Sequence, residues 1–119
     1  MTSNKLELGE REVQGAAVIE IIGELSVGSD KERLLGTVRK NLEAGRRLLV
    51  INMQECRRVD SAGIGELVAC LVTATRHDAT LRLSNVPPQI YGVMKITNVL
   101  KSFDVFETEQ AALEKGIEG

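Results

Sequence analysis

At 119 residues and 43% hydrophobic content, the chain has the size of one domain and enough apolar mass to fill one core. Fifteen Lys and Arg stand against 17 Asp and Glu, for a formal charge of -2, and aromatic residues make up 3%. With no broad basic field for phosphates and little to stack bases on, nucleic acid is not expected as a direct ligand.

The opening Met1-Thr2-Ser3-Asn4-Lys5 has no apolar run behind it of the kind a signal peptide needs, and no uncharged stretch approaches ~18 residues. The expectation is a cytoplasmic protein without a membrane segment. Lys5 to Glu12 alternates weakly, Gln14-Gly15 turns, and Ala16 to Ile22 is strongly apolar, which predicts an antiparallel hairpin. Asp30 to Ala44 places Leu34, Leu35, Val38 and Leu42 on one face of a helix that Gly45 stops. Leu48-Leu49-Val50-Ile51 reads as a central strand covered on both faces.

Beyond it, Ile64, Leu67, Val68, Leu71, Val72 and Thr75 recur at helical spacing as one apolar stripe, with Cys70 at its edge. Asp60 or Ser61 is the natural N-cap, and capping alone could account for either. Leu81-Arg82-Leu83 is a short strand, Pro87-Pro88 opens a third helix through Ile90, Val93 and Met94, and Thr97-Asn98-Val99 ends it with an asparagine suited to a left-handed cap. Phe103 to Phe106 is the last strand, and Thr108 caps a final short helix ending near Gly116. The order ββαβαβαβα predicts a single α/β domain over residues 1–119, with a mixed sheet opened by the hairpin and helices alternating with the later strands.

Two motifs carry a resemblance. Val59-Asp60-Ser61-Ala62-Gly63-Ile64-Gly65 closely resembles the phosphorylation loop of anti-sigma factor antagonists of the STAS class, and Gly23-Glu24-Leu25 resembles the signature after the second strand of that family. The resemblance implies a STAS fold, Ser61 as a serine phosphorylated by a partner kinase that doubles as an anti-sigma factor, and Asp60 as its acidic neighbour. It also admits a serine phosphatase that resets the mark. Ser26 stands where many members carry an aspartate. Strand ends are the functional edge of such sheets, so Glu24 and Ser26 are expected to meet Asp60 and Ser61 there.

Gly63 and Gly65 suit either the close approach of a kinase to the serine hydroxyl or a tight helix start. Ala62, Glu66, Ala69 and Thr73, opposite the predicted stripe, form a small surface that suits a partner or simply a helix rich in alanine. Arg57-Arg58 reads as ordinary loop solvation, with partner steering as the second choice.

Other chemistries fit poorly. Gly-x-Ser-x-Gly fails at Val59, and His77 lies 16 positions past Ser61 on the same helix, roughly 24 Å away and beyond proton-transfer reach. His77 reads instead as a helix C-terminal residue. The glycines follow the serine and form no phosphate loop. Cys56 and Cys70 make no Cys-x-x-Cys pair and no zinc set with His77, so neither metal nor cofactor is expected. Both thiols read as packed or partly exposed, with a redox switch beside Ser61 as the alternative. The expected function is a non-enzymatic partner switch: unphosphorylated, the chain holds the anti-sigma kinase and frees the sigma factor; phosphorylated, it lets go. A never-phosphorylated STAS subunit of a transporter or signalling scaffold is the alternative.

Overall fold

In a computed structural model, which describes residues 6–26 and 32–116, two successive left-handed residues, Gln14 (φ 54°) and Gly15 (φ 87°), reverse the chain. That pair of dihedral signs makes the tight turn whose twist suits a hairpin, and it joins β1 (Leu6–Val13) to β2 (Ala16–Leu25). The later elements are α1 (Arg33–Glu43), β3 (Leu48–Asn52), β4 (Cys56–Val59), α2 (Ser61–Arg76), β5 (Thr80–Ser84), α3 (Pro88–Ile96), a 3-10 turn at Leu100–Ser102, β6 (Asp104–Phe106) and α4 (Glu109–Glu114). The predicted first-helix residues Asp30 and Lys31, and the strand start at Lys5, lie outside the described residues.

The sheet runs β1-β2-β3-β5-β6, antiparallel only at the hairpin, with β4 also paired to β2. This is the mixed α/β sheet the sequence predicts, with one strand more. β3 pairs the first half of β2, from Ala17 to Glu20, and β4 takes over its second half at Gly23 to Leu25. The predicted loop before Ser61 is therefore a strand, and the order is ββαββαβαβα. A register shift between Gly23 and Glu24 leaves Arg57 and Arg58 both exposed between buried Cys56 and Val59, which removes the alternation that would have marked a strand.

Alternate residues of the central strands feed two cores. Ile19, Ile21, Leu49, Ile51, Leu81 and Leu83 face α1, α2 and α3 through Leu34, Val38, Leu67, Cys70, Ile90 and Met94. Val18 and Val50 face the other way and pack with Ala112 of α4. Three helices end alike, with left-handed Gly45, Asp78 and Asn98 and an amide of the next residue reaching back five positions, as in Arg46 to Asn41 O (3.1 Å), Ala79 to Ala74 O (2.9 Å) and Val99 to Met94 O (3.1 Å). This arrangement satisfies carbonyls that a helix end leaves unpaired.

α4 is clamped at both ends. Arg82, buried between two core leucines, donates to the carbonyls of Ala112 (2.8 Å), Lys115 (2.7 Å) and Gly116 (3.0 Å), placing a cation where the helix dipole is negative. Its guanidinium also lies over the Phe106 ring, 5.4 Å from the centroid. At the other end, Glu109 accepts from Arg11 at 2.6 Å and from Asn52 at 2.9 Å.

Candidate functional site

The C-terminal ends of β2 and β4 and the start of α2 converge at one corner. Pairing of Leu25 with Val59 places the next residues, Ser26 and Asp60, side by side, and Asp60 N donates to Leu25 O at 3.4 Å. Gly63 closes the corner. A Cβ built there would collide with the Leu25 carbonyl oxygen, sit 2.8 Å from its carbon and 3.0 Å from Val59 Cγ1. Only glycine lets the first turn of α2 press against the end of β2. No such pressure acts at Gly65, which is exposed and would present a Cβ to open space.

Asp60, not Ser61, is the N-cap. Its backbone is extended (φ -106°, ψ -171°) and its Oδ1 accepts from Gly63 N at 3.1 Å, satisfying a first-turn donor. Ser61 is then the first helical residue and is exposed, and its hydroxyl has no hydrogen-bond partner among the described residues. Ala62 is exposed beside it. Glu24 lies half-buried one residue before Leu25, with Arg58 Nη1 3.5 Å from its Oε1, while the Arg58 side chain stays largely in water. Ser26 is 9% exposed, so an aspartate at this position would sit largely out of water.

The predicted stripe of α2 holds at Ile64, Leu67, Val68 and Leu71, which are buried in or packed against the core, but not at its last two members. Gly63, Ile64, Leu67, Cys70 and Ala74 are the buried residues, which puts Cys70 at the centre of the face, while Val72 is 41% exposed and Thr75 is exposed. The outward side runs from Ser61 through Ala62 and Gly65 to Val72. Glu66 does not belong to it: half-buried, it turns toward α1 and its Oε2 accepts from Leu35 N at 3.0 Å. Sequence spacing placed Glu66 on an open face because the register of α2 against α1 is not written in either helix alone.

Both thiols are buried, which overturns the partly exposed alternative. Burial pushes Cys70 up to about 12 and raises Cys56 as well, so both stay protonated and poorly nucleophilic at neutral pH. A redox switch beside Ser61 has no support in this geometry. His77 is the C-cap of α2, where Nδ1 donates to Thr73 O at 3.0 Å. Among the described residues no group of three His, Cys, Asp or Glu is placed to hold a metal ion, and no helix is long and apolar enough to cross a membrane.

The STAS domain family model matches residues 10–112, and the chain belongs to the STAS family. Its fold is similar to an anti-sigma factor antagonist from Mycobacterium paratuberculosis, at TM-score 0.82 and 17% identity over 94% of each chain. It is also similar to the phosphorylated form of the Bacillus cell fate determinant SpoIIAA, at TM-score 0.67 and 19% identity over 92% of this chain and 96% of that one. A sulfate transporter family protein from Wolinella succinogenes shares the fold too, at TM-score 0.70 and 18% identity over 87% and 85%.

Proposed function

We propose that this chain is an anti-sigma factor antagonist that works by partner switching, with Ser61 as the phosphoacceptor. Unphosphorylated, it docks an anti-sigma factor that is also a serine kinase and so releases a sigma factor; phosphorylated, it dissociates until a serine phosphatase resets it. The kinase supplies the catalytic machinery, and this chain, acting in the cytoplasm, supplies the acceptor.

The observation that carries this reading is the division of labour between adjacent residues. Asp60 performs the capping, which leaves the Ser61 hydroxyl exposed and, among the described residues, without a structural task. A structural subunit of a transporter or scaffold would need the serine only as a cap, the role Asp60 already fills. The likeness to antagonists, one of them in a phosphorylated form, agrees with the reading.

Around Ser61 the surface suits close docking: Ala62 and Gly65 are small and exposed, and Gly65 leaves space that no internal packing requires. Phosphorylation adds about -1.5 to -2 charges and a bulky, strongly hydrated group at that point, next to Asp60. Desolvation and repulsion then oppose docking without any refolding. Within the free protein the phosphate is tolerated, because a helix N-terminus favours negative charge. Calorimetric titration of the partner kinase with wild type, Ser61→Ala and Ser61→Asp tests the switch. Wild type and Ser61→Ala should bind alike and Ser61→Asp at least tenfold more weakly; equal affinities for all three would end the proposal.

A further inference from the structure

The bond from Leu35 N to Glu66 links the helix that carries Ser61 to the start of α1. Among the described residues α1 has no side-chain cap of its own: the residue at its N-cap position, Glu32, is left-handed (φ 56°) and makes no side-chain cap, and no acid lies in the first turn. Leu35 is the third residue of that helix, one of the four whose amides have no partner within it. Glu66 supplies the missing acceptor from a neighbouring element. It lies five positions beyond Ser61, a rotation of about 140° on a helix, so the serine faces outward while the carboxylate turns inward. Exposure agrees, since Ser61 is exposed and Glu66 half-buried.

A second tether secures the same corner. Asp60 N reaches Leu25 O, and Gly63 presses on the same carbonyl, so the start of α2 is fixed to the end of β2. Gly63 thus holds the end of β2 to α2, and Glu66 holds the start of α1 to it.

Building on the phosphoacceptor reading of Ser61, we propose that Glu66 is a positioning residue. It does not contact the partner; it staples the N-terminus of α1 to the Ser61 helix, so that both present one preorganised docking face. Ordering that face before association lowers the cost of docking. Loss of the staple should therefore weaken partner binding while leaving transfer to the serine hydroxyl unchanged.

Glu66→Ala removes the acceptor, whereas Glu66→Gln removes the charge but keeps an oxygen at the same reach. Amide exchange at Leu35 in the full, partner-free chain reads the staple. KM and kcat for Ser61 phosphorylation read docking and transfer, using the cellular serine kinase purified by its ATP-dependent transfer to wild-type Ser61. Glu66→Ala should speed Leu35 exchange at least tenfold and raise KM several-fold with kcat within twofold; Glu66→Gln should stay within about threefold of wild type in exchange and KM. Unchanged Leu35 exchange in Glu66→Ala would overturn the staple, and faster exchange with unchanged KM would overturn its role in docking. A Glu66→Gln variant that keeps slow exchange yet loses as much KM as Glu66→Ala would make Glu66 a direct contact and also overturn the proposal. If no kinase transfers phosphate to wild-type Ser61, the phosphoacceptor reading fails and the docking role fails with it, while Leu35 exchange still decides the staple.

Discussion

Gly63 and Leu25 touch so closely that the missing side chain of one is filled by the carbonyl of the other. This contact locks the helix bearing Ser61 onto the strand ending in Gly23-Glu24-Leu25, and so joins the two sequence motifs into one corner. Gly63→Ala should cost about 1–3 kcal/mol, because the Leu25 backbone and Val59 must both move. Gly65→Ala meets open space and should stabilise the helix by about 0.5–1 kcal/mol. Urea denaturation separates the two, and a partner-binding assay on the stable Gly65→Ala protein tests whether the space at Gly65 serves docking: the expected result is weaker binding despite greater stability.

Asp60 and Ser61 should also part company in stability. Asp60→Ala loses the side-chain cap on Gly63 N and should cost roughly 0.5–2 kcal/mol, with Asp60→Asn restoring most of it. Ser61→Ala removes an exposed hydroxyl and should stay within about 0.5 kcal/mol of wild type. Thermal melts of the three variants check the assignment of the cap. A Ser61→Ala loss as large as that of Asp60→Ala would return the serine to a structural role.

Acid should loosen α4 through Glu109. Hydrogen bonds from Arg11, joined by one from Asn52, hold its carboxyl below the ordinary value of 4.5. A carboxylate whose pKa is lower folded than unfolded contributes stability that is complete above the unfolded pKa and is lost as pH falls through the folded one. Wild type should therefore lose stability as pH drops below about 5, and Glu109→Gln should flatten that slope. Some slope should remain, since hydrogen bonding from Arg46 also lowers Glu12. Denaturation midpoints between pH 3 and 7 provide the comparison.

At the other end of α4, Arg82→Met should leave the carbonyls of Ala112, Lys115 and Gly116 without their donor. The expected cost is about 2–4 kcal/mol, given that each unpaired group is worth roughly 1–3 kcal/mol and the helix end can turn partly to water. Amide exchange should rise first in residues 109–116. An even rise throughout the chain would show that α4 does not come away separately from the sheet.

Where local chemistry decided the structure, the sequence was readable. The Gln14-Gly15 turn, the Gly45 and Asn98 helix ends, the α1 stripe of Leu34, Leu35, Val38 and Leu42, and the Thr108 cap all depend on neighbours within one element. Where partners lie far along the chain, it was not. β4 escaped notice because its bulge leaves Arg57 and Arg58 both in water. The α2 stripe is legible at Ile64, Leu67, Val68 and Leu71, which all join the core, but Val72 and Thr75 stay exposed and Gly63, Cys70 and Ala74 are buried instead, because only packing sets how far the stripe extends to either side. Arg82 gave no sign of burial because the helix it caps begins 27 residues later. Of the site, Asp60, Ser61 and Gly63 were visible as a motif; the division between cap and exposed hydroxyl, and the turn of Glu66 toward Leu35, required the fold.

The proposed switch turns on a single oxygen, the exposed hydroxyl of Ser61, and the decisive measurement is to map phosphate on the chain purified from its own cells. Intact mass followed by peptide sequencing should find one phosphate on a fraction of the molecules, located on Ser61 and absent from Ser61→Ala expressed in the same cells. Phosphate on another residue, or none under any growth condition that changes activity of the sigma factor, would contradict the account.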